Sequence, residues 1–157
     1  IGTFALPPAD TNNFKIADED FATVTDVIAV LELRISLEAE AAGLAAQRRT
    51  EANLAALTAA LAAFENSINQ DSDGVPSDFL FHMEVARATH NQHFTDLMTY
   101  LGAMIIPRTR VNTANSAPEG RYAYLQRVHA EHESILNAIR NQALRLRQHT
   151  DHNLRRG

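Results

Sequence analysis

Four residues of this sequence have side chains that bind metal ions and a spacing that suits helices. Asp78 and His82 stand four residues apart, and His132 and His149 follow much later in the chain. Each lies on or beside an apolar helical face, where a lone carboxylate or imidazole would be costly to bury. Carboxylate oxygens and imidazole nitrogens are ligands for Zn²⁺ and also for Ni²⁺, Mn²⁺ or Fe²⁺. We therefore expect the four to converge on one divalent metal ion, with zinc as the first choice.

The pair of Asp78 and His82 is a weak signal by itself. Residues four apart on a helix share a face, with Cβ atoms about 6 Å apart, which is close enough to chelate one ion. An acidic residue at a helix N-terminus, followed by an ordinary surface histidine, would give the same pattern. His132 favours the metal interpretation because it stands in the middle of an apolar stripe on a distant predicted helix. A hydrogen-bonded core histidine is the alternative for His132 taken alone.

The fourth ligand is a choice between two histidines near the end of the chain, His149 and His152. Leu146 stands three residues before His149 on the same helical face, whereas the neighbours of His152 are polar. His149 is therefore expected to face inward, with His152 as the alternative. The remaining histidines lie off the apolar stripes, and we expect solvated or capping roles for them: His90, His93 and His129.

Apolar residues recur at intervals of three and four through most of the chain, which predicts an all-α antiparallel bundle of about six to seven helices. Two apolar stripes on the first helix predict burial on two sides, either against a partner subunit or at the centre of the bundle. The predicted helices run from Asp20 to about Arg48, from Thr50 through Ile68, from Ser77 or Asp78 to about His90, from about Gln92 to Pro107, from Tyr122 to Ile139 and from Ala143 to Arg155.

Composition restricts the function classes. A chain of 157 residues with 45% hydrophobic content can bury one substantial core. The formal charge of -5 and the lack of a long basic block argue against nucleic-acid binding by this chain, so any DNA contact would lie elsewhere. Cysteine is absent, and no apolar run approaches the roughly 20 residues that span a bilayer. We expect a cytoplasmic protein that is not membrane-bound.

Three segments resemble the FCD ligand-binding domain of FadR-type GntR transcription regulators, and the resemblance covers nearly the whole chain. The segments are Leu31-Glu32-Leu33-Arg34-Ile35-Ser36-Leu37-Glu38, then Asp78-Phe79-Leu80-Phe81-His82 followed by Ala88-Thr89-His90-Asn91, and His132-Glu133-Ser134-Ile135-Leu136-Asn137-Ala138-Ile139. The resemblance implies that the metal ligands are Asp78, His82, His132 and His149. The stretch between His132 and His149 is shorter than the family's usual pattern, which keeps His152 open.

The resemblance also implies a domain organisation. Residues 1–8 are similar to the last wing strand and linker of an upstream winged helix-turn-helix domain, and residues 9–157 would form the effector- and metal-binding helical domain. The chain begins at Ile1 rather than Met, so we expect it to be a fragment of a longer protein. Such a regulator would be a homodimer that contacts operator DNA through the missing domain.

A regulator of this kind implies a small organic acid as effector, with the metal as receptor rather than catalyst. The candidate effector ligands are Arg34, Asn91 and Arg108. A pair between Arg34 and Glu38, one helical turn on, explains Arg34 equally well. For Asn91, a role at a helix end or turn is the better interpretation.

Two other function classes stay open at the level of sequence. A metal-dependent hydrolase would use Glu84 or Glu133 as a general base, although His-Glu-x-x-His and the paired Glu-x-x-His motifs of di-iron bundles are absent. A structural metal in an interaction domain would have its coordination closed by four protein ligands. We expect a regulator rather than an enzyme.

Overall fold

The computed structural model describes residues 24–102 and 118–154, with the side chains of the last helix described as far as residue 141. This part of the chain contains helices and no strands, so the predicted all-α class is confirmed. The helices are α1 (Val24–Arg48), α2 (Glu51–Asn69), α3 (Val75–Ala88), α4 (residues 92–102) and α5 (Pro118–Leu154). The predicted N-terminal wing remnant lies outside the described residues.

The described residues form five helices, so the predicted number of six to seven is not confirmed. The two helices expected at the end of the chain are a single helix, α5, which is 37 residues long. Between residues 121 and 154 there is neither a proline nor a glycine, so nothing in the sequence interrupts the backbone hydrogen bonds. The predicted break between Ile139 and Ala143 is therefore wrong.

Helix α2 follows the sequence prediction closely. Thr50 is its N-cap and exchanges hydrogen bonds with Asn53 in a capping box. The predicted apolar stripe is buried along its whole length, in the order Leu54, Leu57, Leu61, Phe64 and Ile68. A capped helix with one continuous apolar face is stabilised both at its end and along its side, so local and tertiary preferences agree here.

Helix α3 begins earlier than predicted, at Val75 rather than Ser77 or Asp78. Pro76 stands in its first turn, where the missing backbone N–H costs nothing. The helix ends at Ala88, and His90 then adopts a left-handed conformation with φ 52°, which turns the chain into α4. Asp78 consequently lies in the first turn of α3, and His82 lies one turn further along.

Helix α1 buries one of its two apolar stripes. Val30 packs against Leu101 of α4, and Ala41 and Ala45 lie in the main core. The stripe on the other side is exposed at Ile28 and Ile35, which are 50% and 64% exposed. Helix α1 is therefore not central in the bundle, and burial of its second side against a partner subunit stays a prediction.

The main core lies between α1, α2, α3 and α5. Helices α3 and α5 each pack against both α1 and α2, so the inner faces of α3 and α5 meet the same core. Leu57, Phe81 and Ile139 are almost completely buried there. Tyr122, which continues the apolar spacing of α5, is 52% exposed. Among the described residues, no helix is long and apolar enough to cross a membrane.

Candidate metal centre

The side chains of Asp78, His82 and His132 meet between α3 and α5. The two Nε2 atoms of His82 and His132 are 3.3 Å apart. Asp78 Oδ1 lies 3.4 Å from Nε2 of His132 and 3.8 Å from Nε2 of His82. One donor atom from each residue therefore lies within 4.8 Å of the other two. Three of the four side chains expected to converge do so.

These separations suit a small divalent ion. Ligand atoms about 2.0–2.2 Å from a tetrahedral zinc are separated from each other by about 3.3–3.6 Å. The three separations of 3.3, 3.4 and 3.8 Å are close to this range. The donor set of one carboxylate and two imidazoles is also one that Zn²⁺, Ni²⁺ and Mn²⁺ accept. The residues present therefore fit the group that the sequence predicted.

His132 is held in an apolar environment. The residue is only 3% exposed, and its ring stacks on Phe81 with centroids 4.4 Å apart. Burial and the nearby charge of His82 lower the pKa of His132 to about 4, although Asp78 opposes the shift. The imidazole is therefore neutral near pH 7, which is the form that binds a metal. Its Nδ1 is buried and has no hydrogen-bond partner among the described residues.

Asp78 is ionised despite its position. Burial disfavours the carboxylate, but the hydrogen bond and charge of His82, followed by the charges of His132 and Arg34, outweigh burial and place the pKa of Asp78 below its ordinary value. The N-terminal turn of α3 adds a favourable dipole for the same charge. The site therefore offers an anionic oxygen beside a neutral imidazole, as a divalent cation requires.

A carboxylate on α1 lies behind His82. Glu38 Oε1 is 3.1 Å from Nδ1 of His82, and the same oxygen accepts a hydrogen bond of 2.7 Å from Nε of Arg34. The predicted pair of Arg34 and Glu38 is thus present. The contact of Glu38 with His82 joins two helices distant in sequence, and no sequence pattern indicated it.

The other candidate ligands do not join this cluster in the part of the chain that the structure describes. Asn91 Oδ1 accepts a hydrogen bond from the backbone N–H of His93 and so caps α4, which agrees with the interpretation as a helix-end residue. Asn91 also lines a separate surface cleft with Arg87, His90, Gln92 and Thr95. Arg108 lies outside the described residues, as do the side chains of His149 and His152, so the fourth ligand stays a prediction.

Two side chains near the cluster were missed or misjudged from sequence. Tyr124 stands eight residues before His132 on α5 and is half-exposed; partial burial, followed by the charges of Asp78 and Glu131, raises the pKa of its hydroxyl. The spacing of two helical turns from His132 was an available signal for it. His129, expected to be solvated, is half-buried and stacks on Phe64 with centroids 6.4 Å apart.

Comparison with known proteins decides the family. Residues 29–152 match the FCD domain family, which is most of the chain. The chain belongs to the FCD domain family. This FCD domain is also 36% identical, over 115 residues, to the HTH-type transcriptional regulator LutR of Bacillus subtilis (strain 168). The match covers 73% of the chain and 52% of LutR, so the chain spans about half the length of that relative.

The family match confirms the resemblance found in the sequence, an FCD domain of a GntR/FadR-type regulator. It also confirms the expectation of a regulatory domain rather than an enzyme.

Proposed function

We propose that this FCD domain is the effector-sensing part of a transcriptional regulator. It binds a divalent metal ion and a small organic acid inside the bundle and thereby controls operator binding by a DNA-binding domain outside this chain. The observation that carries the proposal is the cluster of Asp78, His82 and His132 in the interior of a regulatory fold. LutR is an HTH-type transcriptional regulator, which supports the same conclusion.

Asp78, His82 and His132 would hold the ion, with His149 as the fourth ligand and His152 as its alternative. Zinc is the metal we propose, and nickel or manganese would suit the same donors. When bound, the ion supplies a Lewis acid to which a carboxylate group can coordinate. The chain's own contribution is a fixed arrangement of one carboxylate oxygen and two imidazole nitrogens in a partly buried site.

Arg34 is the effector ligand that we favour. Its side chain is only 13% exposed, and its charge acts on both Asp78 and His132, so it lies close to the cluster. A guanidinium in this position can bind a carboxylate group through two parallel hydrogen bonds. Asn91 and Arg108 complete the set proposed from sequence, and capping of α4 by Asn91 makes it the weaker of the two.

We propose in addition that the exposed stripe of α1 packs against a second copy of the chain. Ile28 is 50% exposed and Ile35, two helical turns on, is 64% exposed. Large exposed apolar residues repeated along one helix face are typical of an interaction surface. A homodimer formed here would carry two upstream DNA-binding domains, one for each half of a symmetric operator.

A ligand screen tests the function. Small carboxylic acids are added to the metal-loaded protein, and its melting temperature is measured with and without a chelator. An effector that binds through the metal raises the melting temperature only when the metal is present. The full-length regulator is then assayed for operator binding with the same acid. Turnover of the acid would instead support an enzyme, and indifference to every acid would support a structural metal.

Metal binding is tested separately with His132→Ala. Elemental analysis of the purified protein should show one metal ion per wild-type chain and none in the variant, with circular dichroism confirming that the bundle stays helical. His93→Ala is the matched control, because His93 is exposed. Stoichiometric metal in His132→Ala would contradict the assignment of the site.

A further inference from the structure

We propose that Glu38 is a positioning residue of the metal centre, which orients the ring of His82 and fixes the position of its proton. This inference rests on the metal site proposed above and adds a residue of α1 to it. The observation behind it is the short contact across two helices between Glu38 Oε1 and His82 Nδ1.

The two nitrogens of the His82 ring face different partners. Nδ1 lies 3.1 Å from the Glu38 carboxylate, whereas Nε2 lies 3.3 Å from His132 Nε2 and 3.8 Å from Asp78 Oδ1. A carboxylate accepts hydrogen bonds and donates none, so the 3.1 Å contact favours the tautomer in which Nδ1 of His82 carries the hydrogen. In that tautomer Nε2 has a lone pair directed at the cluster. Glu38 thereby selects the tautomer that can bind a metal.

Arg34 keeps Glu38 in this position. Its Nε donates a 2.7 Å hydrogen bond to the same carboxylate oxygen, from one turn earlier on α1. Both side chains are largely buried, at 13% and 22% exposed, so the charge-assisted bond is stronger than a surface pair would be. The carboxylate is thus held between a fixed cation and the imidazole.

His82 and His132 differ in how their rings are oriented. Nδ1 of His132 has no hydrogen-bond partner in the part of the chain that the structure describes, and stacking on Phe81 holds that ring. His82 meets Phe81 only edge-on, with centroids 6.0 Å apart. A hydrogen bond behind the ring therefore matters more for His82 than for His132. Metal-binding histidines commonly have such an acceptor on the far nitrogen.

The test measures the zinc affinity of Glu38→Ala by competition with a chromophoric chelator. Loss of an outer-shell acceptor typically weakens metal binding about 10–100-fold, and we expect a loss in this range. Glu40→Ala is the matched control, because Glu40 is exposed on the same helix and the change of charge and propensity is identical. Glu38→Gln retains an uncharged acceptor and should fall between the wild type and Glu38→Ala, so it also serves if the alanine variant does not fold.

A second measurement separates positioning from simple loss of negative charge. Long-range ¹H–¹⁵N correlation spectra of the metal-free protein in alkaline buffer report which ring nitrogen of His82 carries the hydrogen. We expect the Nδ1–H form in the wild type and in Glu40→Ala, and a mixture dominated by the Nε2–H form in Glu38→Ala. Loss of charge alone would lower zinc affinity without changing the tautomer.

The outcomes distinguish this inference from the function on which it rests. If the wild type binds one zinc ion and Glu38→Ala binds it as tightly, or keeps the Nδ1–H form, the role of Glu38 is overturned while the metal site stands. If the wild type binds no zinc, the metal site itself is overturned, and the role of Glu38 is overturned with it.

Discussion

The depressed pKa of His132 predicts how the metal-free protein responds to acid. In the unfolded chain the imidazole titrates at 6.5, whereas in the folded protein burial and the charge of His82 lower its pKa to about 4. Between these values the unfolded state binds a proton that the folded state does not. The free energy of unfolding therefore falls as the pH falls from about 6.5 to about 4, and His132 contributes no pH dependence above this window.

The size of the effect follows from the shift. A pKa difference of one unit corresponds to about 1.4 kcal/mol, so a shift from 6.5 to about 4 gives about 3 kcal/mol across the window. No reduction for solvent screening is needed, because His132 is only 3% exposed. A loss of this size is a large share of the stability of a typical domain. Asp78, whose pKa is lowered from 3.8, adds to the loss only at lower pH.

Urea unfolding in the presence of a chelator, at intervals between pH 7 and pH 4, measures this loss. His132→Leu replaces the imidazole with an apolar side chain between Phe64 and Phe81. The loss of unfolding free energy over the window should be about 3 kcal/mol smaller in the variant than in the wild type. His93→Leu, which changes an exposed ring, should retain the wild-type loss. Equal losses in His132→Leu and the wild type would refute the reasoning.

Three further predictions concern packing, the fourth ligand and assembly. Gly102→Ala should destabilise the protein by about 1–3 kcal/mol in urea unfolding, since a Cβ there would lie 2.0 Å from the ring of Phe79. Gly43→Ala should be neutral or stabilising, because a Cβ there would meet nothing within 4 Å beyond its own helix backbone and chain neighbours. His149→Ala should weaken zinc binding more than His152→Ala in a chelator competition, and the reverse order would reassign the fourth ligand. Ile35→Glu should convert a dimer to a monomer in sedimentation equilibrium, and an unchanged mass would remove α1 from the interface.

The helices with regular apolar spacing could be predicted from the sequence because their local and tertiary preferences agree. Helix α2 is the clearest case, since Thr50 supplies the cap and every residue of the predicted stripe is buried. The pair of Arg34 and Glu38 was likewise available, since spacing of four residues on a helix is enough to predict it. The predicted helix boundaries were wrong where no local signal marks them. Helix α3 begins at Val75, before the predicted first residue, and α5 continues through the predicted break after Ile139.

Exposure of a stripe is a property that the pattern by itself does not determine. The spacing of Ile28 and Ile35 on α1 predicts only that they share a face, and the neighbouring helices decide whether that face is covered. Tyr122 shows the same limit at the start of α5, where it continues the apolar spacing but is 52% exposed.

The sequence by itself determined the helical class, the three donor residues of the candidate centre and the family to which the chain belongs. These follow from residue types and from intervals along one helix, where geometry is fixed by 3.6 residues per turn. Only the tertiary structure decided that Asp78, His82 and His132 lie within reach of one ion and that Glu38 lies behind His82. Those contacts join α1, α3 and α5, and distances between helices depend on how the whole core packs.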